Sequence, residues 1–289
     1  MQHIKIWILA MRPKTLFAVI CPVLAGSIIA FKEGHFSVST FLLTLVTGLG
    51  IQISTNLCND YFDFLKGADT KERKGPQRIT QSGLVSTATM KKACMLSLAL
   101  TALLGIPLLL QGGMFIGLLL ALSLLLAVGY TAGPIPLAYK GLGDLFVFFF
   151  FGPIACLSTY YLQTKSFSLT CNIIGIALGA LSTAILAVNN IRDIEEDKRC
   201  GKRTLTARFG IVFGKVEYTT LLIIPSLIIM SLALERPWLL LTLCYLIPAG
   251  FITKDVLYTK DAAVLNKSLA RTGATLFLFT VVFCLSWLM

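Results

Sequence analysis

Nine runs of predominantly apolar residues, at 15–31, 39–63, 88–110, 114–130, 142–162, 170–194, 213–234, 237–257 and 270–288, approach the roughly 20 residues that a helix needs to cross a bilayer. They predict an all-α integral membrane protein with nine transmembrane helices. The composition agrees: 56% hydrophobic and 13% charged residues, with a mean hydropathy of +0.82, lie well outside the range of soluble domains. The first run lacks a small-residue cleavage site and leads straight into the second, so it reads as the first span, not as a removable signal.

A net charge of +11 in a soluble chain would suggest nucleic acid, but here the positions of the charges decide the matter. With nine spans, one face receives the amino terminus and the segments near 65–92, 131–141, 192–215 and 254–271, which hold all but three of the 25 Lys and Arg. Lys32, Lys165 and Arg236 remain on the other. The basic face is therefore expected to be cytoplasmic, with the carboxyl terminus opposite, membrane lipid as a partner and no nucleic acid. The eight cysteines show no C-x-x-C or metal-type spacing and most sit in apolar runs, so neither a disulfide nor a zinc site is expected.

Two loops stand out for length and charge, 65–87 and 195–212, both on the basic face. Each follows a helix ending in N-x-x-x-D: Asn56 and Asp60 in the first, Asn189 and Asp193 in the second. The recurrence suggests one domain over 1–289 in which helices 1–4 and 5–8 repeat and the ninth is appended.

Asn56, Asp60 and Asp63 are spaced i, i+4, i+7, and Asn189, Asp193 and Asp197 i, i+4, i+8, so each set shares a helix face. Carboxylates at a helix carboxyl terminus oppose the macrodipole, and their position near the bilayer boundary adds to the cost. A hard divalent cation such as Mg²⁺ compensates, bridging carboxylates to a phosphate. Simple loop-edge charge accounts equally well for Asp69, Glu195 and Glu196, whereas recurrence at membrane depth favours function for Asp60, Asp63, Asp193 and Asp197. Among the following basic residues, which also suit lipid headgroups, Arg73, Arg78, Lys202 and Arg203 lie a short loop from the acids.

The stretches NDYFDFLKGAD (59–69), GPQRITQSG (75–83), YTAGPIPLAYKGLGD (130–144) and NNIRDIEEDKRCGKRTLTARFG (189–210) resemble the UbiA superfamily of intramembrane prenyltransferases, and the resemblance extends over nearly the whole chain. They are most similar to its MenA branch, the 1,4-dihydroxy-2-naphthoate polyprenyltransferases, with the G-P-x-R-x-x-Q-S-G segment the most discriminating. The resemblance implies nine helices around a central cavity with cytoplasmic cap loops, and Mg²⁺ gripping a polyprenyl diphosphate. It assigns Asn56, Asp60, Asp63, Asp193 and Asp197 to the metal, with the four aspartates catalytic, and the matched spacing adds Asn189. Lys66, Arg78, Lys202 and Arg203 go to the diphosphate, joined by Arg73 on its nearness to the acids, and Tyr130, Tyr139 and Lys140 to the substrate pocket, to which Gln81 is added. Leu65 to Ala68 stand where some members carry further acids, so Asp69 is left out of the ligand set.

The implied reaction joins the prenyl group to 1,4-dihydroxy-2-naphthoate with loss of CO₂, giving demethylmenaquinol for menaquinone biosynthesis. A related acceptor such as 4-hydroxybenzoate is the alternative within the superfamily, and a secondary transporter the alternative outside it. A transporter predicts polar sites near the midplane in broken helices, unlike acids gathered at one boundary. A CDP-alcohol phosphotransferase is disfavoured because its D-G-x-x-A-R element is missing. Tyr130 or Tyr139 offers a π face to an allylic cation. Phe146 to Phe151 and Leu118 to Leu126 are apolar enough for a prenyl tunnel, and Gly175 and Gly179 for close helix packing.

Overall fold

The computed structural model describes residues 2–68, 74–76 and 78–289, and the regular elements among them are all helical. The chain enters through α1 (Gln2–Met11), a short 3₁₀ turn (Pro13–Thr15) and α2 (Phe17–Lys32). Pro13 and the left-handed backbone of Arg12 (φ 52°) turn the chain there, and the two arms meet at 53°. Next come α3 (Val38–Leu65), α4 (Thr87–Gly129), α5 (Leu137–Lys140) and α6 (Gly143–Phe149), which runs through a π turn (Phe150–Ile154) into α7 (Ala155–Thr164). The remainder is α8 (Leu169–Arg199), α9 (Leu205–Phe209), α10 (Ile211–Leu232), a 3₁₀ stretch (Pro237–Tyr245) continued by α11 (Leu246–Tyr258), and α12 (Ala262–Leu288). Side chains of Ser37, Ser86, Ser168, Thr204 and Asp261 accept backbone N–H groups at the starts of α3, α4, α8, α9 and α12, which fixes where those helices begin.

Seven helices among the described residues are long and apolar enough to span a membrane, and the bent α1–α2 pair makes an eighth candidate. The longest, α4, has 43 residues. At 1.5 Å per residue a straight rod of that length would measure about twice the thickness of the hydrocarbon core. It is not a rod. Gly113 leaves helical geometry (φ 67°, ψ −161°). A Cβ on Gly105 would lie 2.2 Å from Leu120, and one on Gly117 2.5 Å from Leu109, so the chain doubles back into two antiparallel legs. The reversal falls where the sequence separates the runs 88–110 and 114–130.

At the centre lies α8, with every residue from 177 to 185 buried, enclosed by α2, α7, α10 and α12. The outer surface is apolar: Leu110 is 80% exposed, Met114 75% and Leu125 71%, a pattern that suits lipid and not water. The two glycines of α8 do pack closely. A Cβ on Gly179 would lie 2.3 Å from the Phe148 carbonyl oxygen, and one on Gly175 2.6 Å from Pro153 Cα, so the α6–α7 segment rests directly on the α8 backbone.

One expectation is overturned. Cys58 on α3 and Cys94 on α4 form a disulfide with Cα atoms 5.5 Å apart. The pair is set by the register of two packed helices, which bring together cysteines 36 residues apart in sequence that no local motif reveals.

Candidate active site

The helix ends carrying the acids, from α3 and α8, converge on one cavity of about 390 Å³. Its polar end is walled by Asn56, Asn59, Asp63 and Arg78 on one side and by Asn189, Asp193, Glu196, Asp197 and Lys202 on the other. Its apolar end is walled by Leu119, Leu120, Leu126, Phe146, Phe150 and Phe151, drawn from both segments expected to line a tunnel. Beside it a smaller apolar hollow shares Phe146, Phe150 and Ile154, and adds Leu145 and Phe149, which are 52% and 44% exposed on the outer face.

Asp63 is heavily engaged. It is 2% exposed, with Arg78 at 3.1 Å, Lys202 at 3.2 Å and the Tyr139 hydroxyl donating to Oδ1 at 2.9 Å. Asp60, one helical turn earlier and equally buried, faces elsewhere: Oδ2 accepts the Ile79 N–H and Oδ1 the Thr80 N–H, each at 3.0 Å, and it does not line the cavity. It thus ties the segment bearing Arg78 to α3. Asn56 donates through Nδ2 to the Met11 carbonyl (2.9 Å) and the Thr15 hydroxyl (3.2 Å), joining α3 to the amino-terminal bend.

On α8 the Arg192 guanidinium grips Asp193 with both prongs at 2.6 Å, while also donating to Asn189 (2.6 Å) and Asn266 (2.7 Å). Asp197 accepts from the Thr204 hydroxyl at 3.3 Å, and Glu196 accepts the Lys74 N–H at 2.7 Å. Lys66 donates to the Thr131 carbonyl (2.5 Å) and lies 4.2 Å from the centre of the Tyr139 ring, with Lys202 at 5.0 Å from the same ring. Partial burial lowers the Lys66 ammonium pKa, the positive charge of Lys202 adds to this, and Asp63 opposes it.

The remaining expected residues lie off the cavity wall. Lys66, Lys140 and Arg203 are exposed, Gln81 and Tyr139 half-buried, and of these Lys66 and Tyr139 join the site through Thr131 and Asp63. Arg73 lies outside the described residues. Sequence reasoning passed over Arg12, Asn59, Asp144 and Asn190 and left Glu196 evenly balanced between loop-edge charge and function; all five line the cavity. Asn59 and Glu196 stand inside the recognised motifs. For Arg12 and Asp144 the available signal was a charged residue bordering an apolar run.

Among the described residues no three acid, His or Cys side chains converge tightly enough to enclose a metal alone. The donors that the two motifs place on the wall are nevertheless hard oxygens, carboxylates of Asp63, Asp193, Glu196 and Asp197 with amide groups of Asn56, Asn59 and Asn189. That set fits Mg²⁺, which keeps several waters and takes its other ligands from one or two carboxylates and a phosphate.

The profile of the UbiA prenyltransferase family matches residues 19–281. The chain is 34% identical to the 1,4-dihydroxy-2-naphthoate octaprenyltransferase of Escherichia coli, covering 96% of this chain and 94% of that one. It is 37% identical to the enzyme of the same name from Mycobacterium tuberculosis, over 80% and 79% of the two chains. Its fold is similar to that of a UbiA homolog from Archaeoglobus fulgidus bound to GPP and Mg²⁺, with a TM-score of 0.66 at 16% identity over 96% and 99% of the chains. On its sequence and its fold alike, the chain belongs to the UbiA prenyltransferase family.

Proposed function

We propose that this protein is a Mg²⁺-dependent polyprenyltransferase of the bacterial cell membrane. It moves a polyprenyl group from its diphosphate to 1,4-dihydroxy-2-naphthoate with loss of CO₂, yielding demethylmenaquinol. The carrying observation is near full-length similarity to 1,4-dihydroxy-2-naphthoate octaprenyltransferases, joined to a cavity that is acidic and basic at one end and apolar at the other.

In this reading Asp63, Asp193 and Asp197 hold the metal, with the amides of Asn56 and Asn189 beside them. Bound there, Mg²⁺ supplies charge neutralisation for the leaving diphosphate. Arg78 binds phosphate oxygens as a planar fork and Lys202 as a point charge. Asp60, assigned to the metal by the resemblance, serves the site through the loop that presents Arg78. Arg73 and Arg203 keep their diphosphate assignment. The face of Tyr139 is occupied by Lys66 and Lys202, so Tyr130 is the ring available to shield an allylic cation. The prenyl chain extends along Leu119, Leu126, Phe146 and Phe150, where exclusion of water protects the cation from hydrolysis.

The two legs of α4 and the bent α1–α2 pair, added to the other long helices, make nine spans. The amino terminus and the loops 65–87 and 195–212 then face the cytoplasm as caps, and the carboxyl terminus faces away. Spans 1–4 and 5–8 form a parallel repeat within one domain, with the acid-bearing α3 and α8 as its second members.

The test is reconstitution with Mg²⁺, a polyprenyl diphosphate and 1,4-dihydroxy-2-naphthoate, with EDTA as control and 4-hydroxybenzoate as rival acceptor. Metal-dependent prenylated product from the naphthoate, detected by mass spectrometry, is the expected result. Product from the rival alone overturns the acceptor, and no product from either overturns the reaction.

A further inference from the structure

Asp144 belongs to neither acidic motif, yet it is a buried carboxylate, 6% exposed, on the wall of the same cavity. No Lys or Arg among the described residues pairs with it. Its cross-helix partner is a neutral amide: Asn190 Nδ2 donates to Asp144 Oδ1 at 3.1 Å. An acid in the first turn of a helix ordinarily sits in water, where the dipole favours it cheaply. Here the start of α6 is carried inward because α6 and the following turn rest on Gly175 and Gly179 of α8.

The surroundings mark this spot as the junction between the diphosphate end and the apolar end. Tyr130 stands beside it: its hydroxyl lies 3.0 Å from where a Cβ on Gly143, the residue before Asp144, would stand, and it lines the same cavity. On the same wall Ser182, 3% exposed and two turns before Asn190 on α8, has a buried hydroxyl with no hydrogen-bond partner in the protein. Buried polar groups ordinarily have partners, so an unpartnered hydroxyl on a cavity wall points to a ligand that supplies one.

We propose that Asp144 is the catalytic base for the aromatic acceptor, taking the proton of the ring hydroxyl adjacent to the carboxylate while Ser182 and Tyr130 hold the ring. Asn190 is the positioning residue that aims the carboxylate. The proposal rests on the naphthoate reading above. The ring O–H bond breaks with its proton going to Asp144. The oxygen's electrons form a C=O as the neighbouring ring carbon, which bears the carboxylate, bonds to the prenyl carbon. The prenyl C–O bond breaks with its pair leaving on diphosphate. The product of this step is a β-keto acid anion. It loses CO₂, the C–C electron pair returns to the ring, and the oxygen recovers its proton from Asp144, so the base is regenerated.

The experiment compares wild type with Asp144→Asn and Asp144→Glu in proteoliposomes, following both prenylated naphthoate and prenyl alcohol, the product when water captures the ionised prenyl group. Asp144→Asn is expected to lower kcat for the naphthoate by about a hundredfold or more, the range of general acid–base catalysis. The KM for polyprenyl diphosphate should stay within about twofold, and prenyl alcohol should still form. Asp144→Glu, which restores a carboxylate, should recover part of the turnover, and it decides the matter if Asp144→Asn fails to assemble. Near-normal kcat in Asp144→Asn, or loss of prenyl alcohol along with the naphthoate product, overturns the proposal. A wild-type protein that prenylates only a different acceptor overturns the naphthoate reading itself, and that result is visible before any variant is made.

Discussion

Asp60 and Asp63 sit one turn apart on α3 and are equally buried, yet they do different work: one closes on two backbone N–H groups, the other on Arg78, Lys202 and Tyr139. Their spacing in the sequence states a shared helix face and nothing about which neighbour each oxygen meets, so the division was invisible there. It predicts different phenotypes. Asp60→Ala leaves two buried donors unsatisfied, at about 1–3 kcal/mol each. It should lower the melting temperature in detergent and raise the KM for polyprenyl diphosphate as the Arg78 loop loosens. Arg192 was likewise illegible as a structural centre, because its three partners, Asn189, Asp193 and Asn266, come from two helices. Arg192→Met leaves the buried Asp193 carboxylate without its fork. Breaking such a pair costs about 3–5 kcal/mol, so Tm should fall well below that of an exposed control such as Arg271→Met.

Helices were the most legible level, since apolar length and serine or threonine caps act locally. The fold-back in α4 was legible as well, as a gap between two apolar runs, although its cause is a single residue. Gly113 adopts φ 67°, ψ −161°, where a β-branched side chain is strained by about 1–3 kcal/mol. Gly113→Val should reduce folded yield and Tm, while Gly129→Val, where a Cβ meets nothing within 4 Å, should do so less. The contact of Gly179 with Phe148 illustrates what a sequence withholds: the motif announced close packing, but its partner was another stretch of chain that only the fold brings near. The Cys58–Cys94 bond was missed for the same reason.

Across the whole molecule the proposed topology rests on charge asymmetry, which depends on totals and not on any one contact. Single cysteines placed at Lys91 and Lys198 in a background lacking exposed Cys244 should both react with an impermeant thiol reagent from the cytoplasmic side, and one at Lys165 from the other. Labelling of 91 and 198 from opposite sides would break the nine-span arrangement. The cavity's two-ended character has a consequence for turnover. In the proposed reaction each substrate arrives with an anionic handle, a diphosphate or a carboxylate, and the chemistry discards both. The quinol that remains offers Arg78 and Lys202 nothing to grasp, while its chain already lies along Phe146 and Phe150 beside the outward-facing hollow of Leu145 and Phe149. In that reaction catalysis thereby erases the label that held the molecule in place and leaves the product with its apolar contacts alone.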